Sequence, residues 1–117
     1  MRAPFGEIIS ELSRTDKPVT SVDVPSAWDV DSGPPTSGVG SGFMPNFLVS
    51  LTAPKPCVKF LTASGKQGGH TRHFWGGRFV SPVIAAKYGL ALPDYHGIDQ
   101  VVEVPVEMLD IEQASEH

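Results

Sequence analysis

Twice in this chain a short apolar run stops at a turn marked by proline: Val19 to Val24 (VTSVDV) ends at Pro25, and Phe47 to Leu51 (FLVSL) ends at Thr52-Ala53-Pro54. Proline fixes its own φ and donates no hydrogen bond, so it cannot continue a central strand. Phe47 to Leu51 is apolar but for one Ser, the pattern of a strand covered on both faces in a parallel sheet. Ahead of the first run, Phe5, Ile8, Ile9 and Leu12 recur at i, i+3, i+4 and i+7 with Glu7, Glu11 and Arg14 between them. That spacing predicts an amphipathic helix with one buried stripe and Pro4 in its first turn. Helix then strand is half of a βαβ unit. If the two strands are parallel, their proline-marked loops lie on one edge of the sheet, where ligands of open α/β sheets bind.

The rest of the chain is punctuated by turns, since Gly (12) and Pro (11) are abundant for 117 residues. Asp31 to Pro45 reads as a loop with no core potential of its own, and residues 62–71 as a small, polar, exposed and mobile insertion. Short strands are expected around Phe74-Trp75 and Arg78 to Val80, on either side of Gly76-Gly77. Pro82 opens a helix that Gly89 closes, Gln100 to Pro105 is a last strand, and residues 106–117 form a polar tail. One domain of α/β class is all this length holds.

Asp23 is the principal candidate for chemistry. A carboxylate between two valines at a strand end is partly desolvated, which raises its pKa and brings proton exchange toward neutrality. Its other reading is a turn cap that accepts backbone N–H groups. Ser26, three residues on, either caps the following turn or offers its hydroxyl and carbonyl to a hard monovalent cation. Trp28 reads as packing beneath the loop. Asp29 and Asp31 begin like a calcium loop, but that motif needs an acidic residue at its twelfth position, and residue 40 is Gly. Lys55 reads as a solvated surface lysine or as a point charge for a dinucleotide phosphate. His70 and His73 have no third ligand in sequence reach and read as surface residues.

The net charge of −4 and the absence of a Lys/Arg run argue against nucleic acid as a partner. No apolar run approaches the roughly 18 residues of a membrane span, and Met1 to Arg14 lacks the long apolar centre of a secretory signal. Cys57 stands alone, so it cannot pair internally; it reads as a small buried hydrophobe in a reducing compartment.

Four blocks in order, SVDVPS with WDVDSGPP, then SLTAPKPCVK, then GGRFVSP, resemble the C-terminal half of the NAD(P)H-hydrate epimerases, the YjeF N-terminal-domain family, over Phe5 to Pro93. The resemblance implies a Rossmann-like three-layer fold with a mostly parallel sheet, present here as an incomplete C-terminal portion spanning residues 1–105. It implies interconversion of the R and S forms of NADHX and NADPHX, with the small-molecule hydrate as substrate, a potassium ion as cofactor and homodimers at full length. Asp23 matches the family's substrate-binding and acid/base Asp, and Ser26 its potassium-binding Ser. Ala27 stands where Gly is usual, a cost wherever that turn needs a positive φ. The resemblance is compatible with a cytoplasmic or mitochondrial protein. An alternative is a non-catalytic nucleotide- or protein-binding module of the same fold, and the truncated chain by itself is expected to be inactive.

Overall fold

A computed structural model describes residues 3–61 and 71–106. The chain order is α1 (Phe5–Arg14), β1 (Thr20–Val22), β2 (Phe47–Leu51), a 3-10 helix (Pro56–Phe60), β3 (Arg72–Gly76), α2 (Pro82–Tyr88) and β4 (Val101–Val104). The strands form one sheet in the order β1-β2-β3-β4. β1, β2 and β3 run parallel, and β4 returns antiparallel beside β3. The expected α/β, mostly parallel architecture is therefore present, with a mixed edge.

Register sorts the sheet into two faces. Ser21, Leu48, Ser50, His73 and Trp75 share one face, because Ser21 pairs with Leu48, Leu48 with His73, and Ser50 with Trp75. Against that face pack Trp28, Cys57, Val58 and Leu61, with Val24, Met44 and Val106 around them. The opposite face carries Val22, Phe47, Val49, Leu51, Phe74 and Val101. It is far less covered: Val22 is 62% exposed, and the residues of β2 on this face are only half-buried. β2 is thus sealed on one face and not, as its sequence pattern predicts, on both.

Several local expectations change for identifiable reasons. The first strand covers only Thr20–Val22, because the chain turns back at Asp23, where the Val24 N–H donates to Val22 O at 2.8 Å. Arg78 to Val80 forms no strand, since the Phe79 N–H donates to Gly77 O in a tight turn. The Asp31 to Pro45 loop does contribute to the core, through the buried Phe43 and Pro45. In α1 only Ile9 of the predicted stripe is buried, while Phe5 and Ile8 are exposed. α2 begins and ends as read: the Ser81 hydroxyl accepts from Ile84 N, Pro82 follows it, and Gly89 takes the left-handed conformation at φ 65. Most of the 62–71 insertion and all but Val106 of the 106–117 tail lie outside the described residues; Thr71 is buried, its hydroxyl donating to Pro45 O.

Candidate functional site

The parallel strands β1 and β2 finish side by side, and both finish the same way. At Asp23 (φ 67) the Val24 N–H closes onto Val22 O, and at Thr52 (φ 66) the Ala53 N–H closes onto Leu51 O at 2.7 Å. Each is a γ-turn with positive central φ, a strained conformation, and for a β-branched residue such as Thr52 a rare one. Strain of this kind costs about 1–3 kcal/mol per residue and persists only where the surroundings enforce it. Here they do. The Asp23 N–H donates to Val49 O (2.7 Å), the Thr52 N–H to Gly76 O (3.1 Å), and the Trp75 indole N–H to Thr52 O (2.7 Å).

The turn at β1 aims the Asp23 side chain across the strand ends, toward the segment just beyond β2. Its Oδ1 accepts from the Leu51 backbone N–H (3.1 Å) and from Lys55 Nζ (2.9 Å). Asp23 and Lys55 are each about a third exposed, with side-chain values of 32%. Burial pushes the Asp23 carboxyl up, but hydrogen bonds from Lys55 and Leu51 and the lysine charge together outweigh it, so its pKa lies below the ordinary carboxylate value. This corrects the expectation of a raised pKa: the strand end does desolvate Asp23, and it also delivers a cation that the sequence pattern leaves in solvent.

Lys55 is not a free surface lysine in this arrangement. Its ammonium donates to Asp23 Oδ1, Leu51 O (3.1 Å) and Ala53 O (2.9 Å), which uses all of an ammonium's three donors. The signal was present in the sequence. If two parallel strands both end at proline turns, the residues just beyond them are neighbours, and the acid after one and the base after the other are placed to pair.

Ser26 lies in the turn Pro25-Ser26-Ala27-Trp28, closed by the Trp28 N–H on Pro25 O (3.0 Å), with Ala27 at φ 69. That is the third position of a type II turn, which favours Gly. A Cβ at Gly40 would come within 2.5 Å of the Ala27 Cβ, so the methyl at 27 is accommodated by the absence of one at 40. Ser26 is exposed on this turn, and its hydroxyl is an oxygen donor of the class hard cations take. Trp28, by contrast, is buried, its indole N–H donating to Phe43 O at 3.0 Å, which fits its reading as packing. Asp29 is a turn former: its Oδ1 accepts from the Asp31 and Ser32 N–H groups at 2.9 Å. Those backbone bonds, Ser32 first, hold its carboxyl below the usual range.

Cys57 is buried and its thiol pushed up, chiefly by desolvation, as fits an inert packing residue. His73 is not on the surface. It sits fully buried in β3 with Nε2 2.7 Å from the Ser50 hydroxyl, and burial lowers its pKa to about 4. Both groups lie within the core and reach no cleft, so the pair is structural. Beside Thr52, a cleft of about 680 Å³ opens at the same sheet edge, lined among others by Arg78, Phe79, Ala85, Leu90 and Tyr95. The Arg78 guanidinium lies 5.0 Å from the centre of the Tyr95 ring. Asp23 does not line this cleft; its Oδ1 accepts from the N–H of Leu51, the residue before the cleft-lining Thr52.

Residues 1–57, which take in Asp23, Ser26 and Lys55, match the family described as YjeF-related protein N-terminus. The chain is 53% identical over 107 residues to a protein of Sclerotinia sclerotiorum named NAD(P)H-hydrate epimerase, covering 92% of this chain and 42% of that protein. It is 58% identical over 104 residues to a protein of the same name from Fusarium vanettenii, covering 89% of this chain and 41% of the other. In three dimensions it superimposes on the crystal structure of yeast ynu0 (YNL200c) with a TM-score of 0.74 at 39% identity, over 89% of this chain and 40% of the yeast chain. The chain thus spans about two-fifths of the length of the relatives it matches.

Proposed function

We propose, from the match of residues 1–57 to the YjeF-related N-terminus family and the likeness of 89–92% of the chain to proteins named NAD(P)H-hydrate epimerase, that this chain is a portion of such a domain and carries the Asp23 part of an epimerase site. The single observation behind the proposal is the carboxylate geometry. Asp23 is held at the C-terminal edge of parallel strands with Oδ1 engaged and Oδ2 without a partner among the described residues. That is a preorganised anion with one oxygen left for a substrate.

The chemistry stems from the substrate class. In hydrated NADH or NADPH the C6 hydroxyl neighbours a ring nitrogen, so its departure as water leaves an iminium cation, and water can return to either face. An anionic carboxylate beside that ring stabilises the cation. Departure of the hydroxyl as water takes up one proton, which Oδ2 of the protonated form of Asp23 supplies; the carboxylate so formed faces the iminium, and water adding to either face returns that proton to Oδ2. Ser26, through its hydroxyl, would hold a potassium ion against the 25–28 turn. When bound, that ion supplies fixed positive charge and orders the turn; the proton transfer is the work of Asp23.

The test is epimerisation of R-NADPHX by three preparations: this chain, this chain joined to the part of the Sclerotinia sclerotiorum relative that it does not span, and the joined protein carrying Asp23→Ala. Turnover is expected from the joined protein alone, with Asp23→Ala lowering it by about 10²–10⁴-fold. Undiminished turnover in Asp23→Ala would end the assignment. Asp23-dependent turnover by the chain alone would show that this portion suffices.

A further inference from the structure

We propose that Lys55 is a positioning residue of this site: its ammonium, with every N–H engaged, fixes Asp23 through Oδ1 and leaves Oδ2 as the reactive oxygen. The inference deepens the epimerase reading and rests on it for its kinetic arm. It begins from the hydrogen-bond inventory. An ammonium has three donors and no acceptor, and at Lys55 the three go to Asp23 Oδ1, Leu51 O and Ala53 O at 2.9, 3.1 and 2.9 Å. Two of these acceptors are backbone carbonyls of the strained turn around Thr52, so the lysine is anchored to β2's end independently of Asp23. Meanwhile Oδ1 is already bonded to the Leu51 N–H, and the lysine closes it to any further partner.

The two γ-turns and the lysine form one unit. Asp23 at φ 67 turns its carboxylate toward β2, Thr52 at φ 66 turns the chain so that Lys55 folds back over Leu51, and the ion pair ties the two strained turns together. A lysine on a flexible stem with a spare donor would reach for a phosphate; this one has no donor left to give. Its contribution is made through Asp23, by setting where the carboxylate lies and how firmly it stays ionised. Among the described residues, the Cys57 thiol on the 3-10 helix also faces Asp23, and Asp29 faces that thiol from the loop before it.

The experiment compares Lys55→Met and Lys55→Arg with the unaltered residue in the joined protein, reading kcat/KM for R-NADPHX against pH. Because the protonated carboxyl starts the reaction, kcat/KM should fall as pH rises through the Asp23 pKa, and in the unaltered protein that limb should lie below the ordinary carboxylate range. Lys55→Met should move that limb upward and lower kcat at the plateau, while Lys55→Arg, a cation of similar reach, should return the limb toward its original position. An unmoved limb in Lys55→Met, or a Lys55→Arg profile displaced as far as that of Lys55→Met, would overturn the proposal. The Asp23 carboxyl is titrated in parallel by ¹³C NMR in the same proteins, with Lys55→Gln replacing Lys55→Met if the latter does not fold. An Asp23 titration that is the same with and without the lysine charge overturns the clamp. If no preparation turns over substrate but the titration shifts as expected, the clamp stands and the epimerase reading fails.

Discussion

The two faces of the sheet differ in what has been built onto them. One is sealed: Leu48, Ser50 and His73 have no accessible surface, and Trp28, Cys57, Val58 and Leu61 close over them. The other, with Val22, Phe47, Val49, Leu51, Phe74 and Val101, is apolar but open, fringed by the Arg72–Glu103 ion pair. Segments 24–61 supply most of the cover of the sealed face, and that same cover contains the 25–28 turn, Lys55 and the strained end of β2. The candidate site is therefore attached to the finished side of the molecule, where packing can hold strained backbone in place.

The strongest way to break this contrast is to excavate the sealed face. Trp28→Ala removes a buried indole and its bond to Phe43 O and should cost about 3–5 kcal/mol in urea unfolding; a cost below about 1 kcal/mol would mean the cover is loose. Next comes acid. His73 is neutral in the fold because burial lowers its pKa from 6.5 to about 4. Between those values the unfolded chain binds the proton and the folded one does not, so stability falls as pH drops from about 6.5 and is fully lost for this group below about 4. Two and a half pH units correspond to about 3 kcal/mol. Unfolding measured at pH 7 and pH 4 for the unaltered chain and for His73→Leu should differ by that amount, and equal pH slopes would place the imidazole in water.

A smaller effect is expected at the turn under the site. Gly40→Ala adds a methyl at φ 88 that would meet the Ala27 Cβ at 2.5 Å, costing about 1–3 kcal/mol. Ala27→Gly in that background should recover part of it, because it removes both the collision and an Ala at φ 69. Additive effects of the two changes would show that the turn and the 38–43 loop are not packed together. The smallest effect belongs to the open face. Val22→Thr should lie within about 0.5 kcal/mol in this chain, and a loss as large as that of Trp28→Ala would abolish the distinction between the faces.

Much of the fold was legible along the chain. The i, i+3, i+4, i+7 repeat marks α1, the apolar run marks β2, and Ser81-Pro82 with Gly89 brackets α2, because each signal is local backbone or periodicity chemistry. The adjacency of the two strand ends was legible too, through the proline turns that end β1 and β2. The misjudged residues are instructive. Two valines beside Asp23 signalled desolvation, and so a raised pKa; the fold adds Lys55 from 32 residues away and reverses the sign. His73, flanked by arginine and a polar insertion, reads as surface, yet its strand is interior and it is sealed beneath the 3-10 helix and its neighbours. Phe43 lies in a stretch of Gly, Ser and Pro and is nonetheless core.

The sequence by itself determined the elements and the sheet edge at which Asp23 stands, since these stem from φ restrictions, periodicity and the end of a strand. Only the tertiary structure decided that acid's charge state and partner, and which face of the sheet is closed. Electrostatic and burial energies depend on distances through space, and two residues far apart in the chain acquire a distance only when parallel strands bring their ends together.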